Sequence, residues 1–433
     1  MIILRLYQLL WWLLLPIIVV LRLWRDWRSP FGLQNFQDRF GFQLLPKVDL
    51  IIHAVSLGEV RAVTPLVKRL LDEKPSLRIL FTATTLTGSD QIQRTFKRAL
   101  TEDRLFHTYL PFDFGPSIAS FLKRTSPKAI LIMETEIWPN LFYQAEKRNI
   151  EVIMISACLS DRSFYRYQKI RQTIRNLLKP VTVLTQTDED SLRFELLGAE
   201  KTKRMGNIKY DLEVDPSVFE QRDQLRALKL PDSLYWMGAS THEEEEEIII
   251  EAFIEARKKS PHLKLIIAPR HPERFPEVKS LLEEYVDAHN FVLSIRSNGS
   301  LEALNSRADI WLIDTLGELL LFYAFADIAL VGGSFVPIGG HNILEPAYFA
   351  KPIIVGPYMN ENRETLVQFL ENKAILQVDS EALESTVIAL SQDKALREIY
   401  GNAAHQTMIE NQGAIDIVIE QVNNHFPDTE KVA

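Results

Sequence analysis

Residues Val331–Ala347 read VGGSFVPIGGHNILEPA. An apolar run ends in the pair Gly332-Gly333, a second pair follows at Gly339-Gly340, and a helical stretch then begins near His341-Asn342. Glycines allow a main chain to take φ > 0 and to approach a ligand closely. A helix start adds unpaired N–H groups and a positive dipole end. This strand, glycine loop and helix therefore predict an α/β protein that wraps a phosphate-bearing ligand, with Gly333, Ser334, Gly339, Gly340, His341 and Asn342 around the phosphate. Glu345 falls in the first turn, where a carboxylate can accept from ribose hydroxyls.

Outward from this loop, short apolar runs alternate with amphipathic stretches from Asp49 onward, the mark of βαβ units around parallel sheets. Strands are expected at Leu50–Val55, Arg78–Ala83, Ala129–Met133, Glu151–Ser156 and Val181–Thr185, with a helix over Val60–Lys74. A second set is expected at Tyr235–Ala239, Leu263–Ala268, Ile310–Ile313, Ile328–Val331 and Pro352–Val355. Pro216, Pro231 and a charged patch between them mark a break, which predicts one domain over 29–212 and another over 213–410. The final segment, 411–433, contains a helix over Gly413–His425 expected to return to the first domain.

A chain of 433 residues with 46% apolar content can build two cores. Its net charge of −8 lacks the basic footprint of a general nucleic-acid binder. The single cysteine, Cys158, excludes an internal disulfide and a cysteine-cluster metal site. At the amino end, Leu6–Leu21 is almost wholly apolar and is followed by Arg22, Arg25 and Arg28. Sixteen residues rise about 24 Å as a helix, short of a hydrocarbon core of roughly 30 Å, so whether residues 1–28 span the bilayer or lie on it stays open. The arginines on the carboxyl flank favour a cytoplasmic body. A cleaved signal peptide is the rival, and no small-residue cleavage site follows. Arg22, Arg25, Arg28 and Arg39, interleaved with Trp24, Trp27, Phe31, Phe36 and Phe40, are ordinary anchor flanks or a patch for lipid phosphates, with Arg94, Lys97 and Arg98 as additions.

In open α/β sheets ligands bind beyond the carboxyl ends of strands, and polar residues recur there: Ser56–Glu59, Glu134–Asn140, Ser240–Glu243, Pro269–Arg274 and Asp314–Glu318. Each has a plain alternative. Ser240 and Thr241 with Glu243 and Glu244 fit a capping box, and Glu243–Glu247 reads as a solvated helix face. His242-Glu243 opens a zinc-protease pattern that fails at Glu246. Asp188-Glu189-Asp190 imitates a metal-holding DxD but reads better as helix amino-terminal charge. His53, inside an apolar strand, reads as a packed core residue. Glu59 reads either as a helix-start carboxylate or as a base beside Gly58, whose missing side chain frees the backbone.

Several stretches together resemble the bacterial Kdo transferases, enzymes that attach 3-deoxy-D-manno-oct-2-ulosonic acid to lipid A precursors. They are HAVSLGEV over 53–60, METEIWPN over 133–140, GNIKYD over 206–211, APRHPER over 268–274, DTLGE over 314–318 and the glycine-rich loop itself. One departure is Ser156–Ser160, SACLS, where the family commonly reads NARLS. Pattern and resemblance together imply a GT-B type glycosyltransferase, two Rossmann-like domains facing a cleft, plus an N-terminal membrane helix. The resemblance implies inverting transfer of Kdo from CMP-Kdo to a lipid A precursor at the cytoplasmic face of the bacterial inner membrane. It implies Glu59 as general base, and Glu134 and Glu136, with Gly58 beside the base, as acceptor or sugar contacts. Lys209, Arg270 and His271 would join the glycine loop around the donor, Arg270 on either the CMP phosphate or the Kdo carboxylate. No cofactor and no metal are expected. Two rivals are a sugar-nucleotide epimerase, which has no reason to carry a lipid anchor, and a non-catalytic membrane-tethered nucleotide-binding module, which would not need Glu59.

Overall fold

The computed structural model describes residues 2–27 and 34–427. The chain divides into two compact units, Met1–Asp211 with Gln412–Ala433, and Leu212–Asn411. The expectations placed on the Arg25, Arg28 and Phe31 side chains lie outside what is described.

The first unit holds a seven-stranded parallel sheet: β1 (Leu50–Ala54), β2 (Ile79–Ala83), β3 (Leu105–Tyr109), β4 (Ala129–Met133), β5 (Glu151–Ala157), β6 (Thr182–Thr185) and β7 (Lys201–Arg204). Their order is β3-β2-β1-β4-β5-β6-β7. All five residues of β1, β2 and β4 are buried, as strands covered by helices on both faces require. The order reverses between β1 and β4, so the loops leaving these two strands flank the crevice where open α/β sheets take ligands. Leu50 pairs with Ala129 and His53 with Ile132, which brings both strands to their ends at one level.

The second unit repeats the plan with β8 (Leu234–Thr241), β9 (Leu263–Pro269), β10 (Leu293–Ile295), β11 (Ile310–Leu312), β12 (Ile328–Val331), β13 (Ile353–Val355) and β14 (Leu376–Gln377). The order β10-β11-β9-β8-β12-β13-β14 reverses between β8 and β12. The glycine-rich loop leaves β12, and Ser240–Glu245 lies at the end of β8. Trp236 and Trp311 are fully buried on opposite faces of this sheet. Two units, each a parallel sheet of seven strands with helices connecting its strands, form the GT-B type of fold.

The terminal helix Ala414–His425 belongs to the first unit. Gly413 and Ile415 both donate backbone N–H bonds of 2.7 Å to the Asp211 carboxylate, and Lys74 Nζ donates 2.8 Å to the Phe426 carbonyl.

Helix α1 runs over Ile2–Trp27, well beyond the sixteen apolar residues that define it in the sequence. Residues Ile2–Trp24 are long and apolar enough to cross a membrane, a property shared with signal sequences. Its amino-terminal half also touches the body: Tyr7 Oη donates to Asp113 Oδ2 at 3.0 Å and Gln8 Nε2 to Asn140 Oδ1 at 2.8 Å. The next helix, α2 (Gln34–Arg39), leads to a correction. Arg39 is 8% exposed, stacks over the Tyr109 ring at 4.2 Å and donates to the Thr84 carbonyl, and Phe40 is 5% exposed. Both are core residues, unavailable to lipid headgroups, because the β3 edge covers them.

Candidate functional site

At the first switch point, Ser56 caps helix α3 (Leu57–Glu73) and Glu59 sits in its first turn. The Val55 N–H donates to Glu59 Oε2 at 2.7 Å and Ser56 Oγ–H to Oε1 at 3.0 Å, while the Glu59 N–H returns to Ser56 Oγ at 3.3 Å. This is a reciprocal cap of the kind that fixes a helix start. It orients the carboxylate, which keeps further lone pairs for a substrate proton. Burial raises the Glu59 pKa, with Glu134 adding to it and the donors from Val55 and Ser56 opposing. Gly58 has an ordinary φ, and an added Cβ would meet only Ser56 Oγ at 3.8 Å. The backbone there needs no glycine; what Gly58 leaves is room beside the carboxylate.

The β4 loop brings Glu134 and Glu136 to the same place. Glu134 has φ +53, a left-handed residue directly after the strand. This left-handed turn lets Glu134 meet Lys209 Nζ at 3.1 Å. Lys209, expected on the donor, thus lies in the first unit as the partner of a carboxylate. Glu136 is pushed up to about 7 by burial, then by the charges of Glu59 and Glu134. Three carboxylates and one ammonium share the crevice, so a proton can rest on one of them near neutral pH. His53 is 1% exposed, its Nδ1 bonded to Thr82 Oγ1 at 2.9 Å, and burial pushes it down to about 4. It is a neutral core residue, as its setting in the sequence suggested. Asp190 also behaves as helix-start charge: Thr187 caps Asp188–Leu197, and Asp190 accepts the Leu159 N–H at 2.7 Å.

The second switch point overturns part of the sequence reading. Glu245, taken for a solvated position, is fully buried, and its carboxylate accepts four backbone N–H groups. Oε2 receives His242 at 3.0 Å and Gly333 at 2.6 Å; Oε1 receives Ser334 at 2.9 Å and Phe335 at 2.8 Å. The amides expected to cradle a phosphate are therefore already paired within the fold. Farther along, Gly339 and Gly340 donate to the Gly333 carbonyl at 3.1 and 2.7 Å, and His341 to that of Gly332 at 3.2 Å. Gly340 sits at φ +76 with Met359 Sδ 2.0 Å from where a Cβ would stand, so this closed loop requires glycine there. Ser334 is also fully buried, donating to the Val331 carbonyl and accepting the Gly356 N–H, which removes it as a phosphate donor.

Glu246 is likewise buried, holding Thr241 Oγ1 at 2.8 Å and Arg274 Nη1 at 2.9 Å. The helix itself starts at Glu245 with Glu244 at φ +71 and no side-chain cap, so Ser240 and Thr241 do not form the expected capping box. Asn342 and Glu345 frame the start of Leu344–Tyr348, a five-residue helix that begins later than His341. Asn342 Oδ1 accepts the Leu344 N–H at 3.0 Å and its Nδ2 reaches Glu345 Oε1 at 3.3 Å.

The glycine loop acts instead as a platform for side chains. His341 and His242 lie nearly parallel, 16° between their planes, with ring centroids 5.0 Å apart and their Nε2 atoms meeting at 2.7 Å, and His271 meets His242 edge-on at 5.2 Å. His242 and His341 are each pushed down to about 4. Burial is the main cause for both, followed by neighbouring histidines and Arg270. The close pair therefore shares one N–H···N bond between neutral rings. Arg270, His271 and His341 lie close enough to act on one another. His242 was missed as part of the set, although its position directly after β8, a switch-point strand, pointed to it. Among the described residues no group of three or more His, Cys, Asp or Glu side chains is arranged to hold a metal ion.

The family model for 3-deoxy-D-manno-octulosonic-acid transferase (kdotransferase) matches residues 34–212. The chain is 39% identical over 402 residues to the 3-deoxy-D-manno-octulosonic acid transferase of Haemophilus influenzae, covering 91% of this chain and 92% of that protein. It is 34% identical over 377 residues to the enzyme of the same description from Bordetella pertussis, covering 84% of each. Among solved structures, UDP-GlcNAc 2-epimerase from Neisseria meningitidis aligns with 87% of this chain and 100% of its own, at TM-score 0.57 and 16% identity. That likeness is one of fold alone.

Proposed function

Because this chain belongs to the 3-deoxy-D-manno-octulosonic-acid transferase family, we propose that it moves Kdo from CMP-Kdo to a hydroxyl of a lipid A precursor, with inversion at the anomeric carbon. The observation that carries the mechanism is Glu59, held by Val55 and Ser56 at the first switch point with its pKa raised by burial and by Glu134. A raised pKa makes the carboxylate a better proton acceptor at neutral pH.

In this reading the acceptor hydroxyl gives its proton to Glu59 as its oxygen attacks the anomeric carbon of Kdo, and the bond from that carbon to the CMP phosphate oxygen breaks. One displacement inverts the centre. Glu136, which titrates at about 7, donates from its acid form to a sugar oxygen, and Glu134, paired with Lys209, accepts from sugar hydroxyls. The leaving phosphate gains charge, and fixed donors meet that charge best when they are already aimed. In the second unit these are Arg270 and His271, with an N–H from the His242–His341 pair; Glu345 and Asn342 hold the ribose. Cationic side chains supply the electrostatic stabilisation, so the proposed mechanism uses no divalent metal. The apolar helix α1 holds the protein at the inner membrane, where the lipid acceptor lies, with the body cytoplasmic.

The test is direct. Purified full-length protein in phospholipid vesicles, given CMP-Kdo and a tetraacylated lipid A precursor, should yield a product heavier by one or more Kdo residues on mass spectrometry. Absence of product with a donor that binds would reject the proposed acceptor; absence of donor binding would reject the proposed donor.

A further inference from the structure

We propose that α1 lies in the plane of the bilayer, half sunk, with both of its ends on the side of the catalytic body, and does not cross. This rests on the reading above that the helix meets lipid, and adds how it does so.

The burial pattern along the helix comes first. Leu4, Gln8, Trp11, Leu15, Ile18 and Arg22 recur every three or four residues and are buried or half-buried. That spacing is one face of a helix, so one stripe is less exposed than the rest along most of the length, with Leu4 buried and the others half-buried. The opposite stripe is bare: Leu6, Leu9, Leu13, Ile17, Val20 and Trp24 are each more than half exposed. An apolar face of this extent on a helix docked to the body through Tyr7, Gln8, Trp11 and Trp12 is how an interfacial helix is built.

The aromatic contacts decide the direction. Trp11 lies 6.3 Å from Phe112, and Phe40, which follows α2, lies 5.5 Å from the same ring. Trp12 meets Phe114 at 4.8 Å. The chain thus leaves Phe112 at Trp11 and is back on it by Phe40. From Trp11 to Trp27 the helix carries it about 24 Å, and the seven steps from Trp27 to Gln34 reach at most about 25 Å. A helix lying along the body satisfies both lengths. A crossing helix with Trp11 docked has only residues 13–27, roughly 22 Å, to span a core of about 30 Å, and its far end would have to return through the bilayer as extended chain, which lipid does not tolerate.

Tyr7 and Gln8 make the same point. Their polar ends are bonded to Asp113 and Asn140, both fully buried in the body. Drawing these residues into hydrocarbon would strip both bonds. Arg5, exposed near the amino end of the helix, is suited to the phosphates of the leaflet on which the body rests.

The experiment uses full-length protein carrying Cys158→Ala and one reporter each: Arg5→Cys, Gln37→Cys, or Gln172→Cys on the body. A membrane-impermeant maleimide is added to sealed inside-out and right-side-out vesicles. The expected result is that all three label from the same face, and that the protein stays with the membrane through a high-salt wash. Membrane-bound protein in which Arg5→Cys labels from the face opposite Gln172→Cys, or from neither face before detergent, overturns the in-plane arrangement and leaves lipid attachment standing. Release of the unsubstituted protein by the wash overturns both. If Arg5→Cys fails to fold, Ile2→Cys reports on the same end under the same criteria.

Discussion

Replacing Glu245 by glutamine should unfold the second unit early. Each carboxylate oxygen of Glu245 accepts two backbone N–H groups, four in all, in a site with no solvent exposure. Glutamine keeps one oxygen, so two of the amides would face its NH₂ and lose their acceptor. A buried amide without a partner costs about 1–3 kcal/mol, giving about 2–6 kcal/mol for two. The remaining two bonds also weaken, since charge-assisted bonds are roughly twice as strong as neutral ones. Removing a buried charge offsets part of this, which places the expected loss near the lower half of that range. For a unit of this size about 1 kcal/mol moves the midpoint by roughly 2–4 °C, so a fall on the order of 5–12 °C is expected. Urea and thermal unfolding should resolve it as a shift of the second unit's transition while that of the first unit stays in place. A loss of stability within about 0.5 kcal/mol, the range of an ordinary surface substitution, would refute the assignment of Glu245 as the clamp of the glycine loop.

Other outcomes follow from the same geometry. Glu134→Gln removes the negative neighbour that raises the Glu59 pKa, so the acidic limb of the kcat/KM profile should move to lower pH, read by transfer rates between pH 5 and 9. The folded-state pKa of Glu136 lies at about 7, above the ordinary 4.5. Its contribution to stability is therefore present below 4.5 and lost as pH rises to about 7, and Glu136→Gln should flatten that slope in urea titrations. His242 and His341 show the opposite sign: each is lowered from 6.5 to about 4, so the stability they carry is present above 6.5 and lost as pH falls toward 4. His341→Gln should reduce that loss. Arg270→Ala and Glu345→Ala should each weaken CMP binding about tenfold or more, on the order of 1.4 kcal/mol, measured by calorimetry with the nucleotide alone.

The parts legible in the sequence were those whose signal is local. Ala129–Met133 and Ile328–Val331 are unbroken apolar runs, and both are strands with those bounds. Lys201–Arg204 was missed because an edge strand of four mostly exposed polar residues, KTKR, carries no apolar pattern at all. Leu105–Tyr109 was missed because His107 and Thr108 interrupt its apolar run. Glu59 read as a helix-start carboxylate, and it is one; the cap from Ser56 was not foreseen. The glycine loop was read as a nest for a ligand, since nothing in VGGSFVPIGG reveals that its amides are met by a carboxylate some ninety residues earlier. Five consecutive glutamates look alike in sequence; only tertiary contact singles out Glu245 and Glu246. The docking of Tyr7 and Gln8 was hidden for the same reason, because two polar residues within an apolar run are visible but their partners, Asp113 and Asn140, are not.

The central claim is that Glu59 takes the proton from the acceptor hydroxyl. Its most direct measurement is single-turnover transfer by Glu59→Gln with saturating CMP-Kdo and lipid acceptor, alongside the donor dissociation constant. The account predicts a fall in the transfer rate of about 10²–10⁴-fold, the usual worth of a positioned general base, with donor affinity unchanged. Turnover within a few-fold of the unsubstituted protein would contradict it.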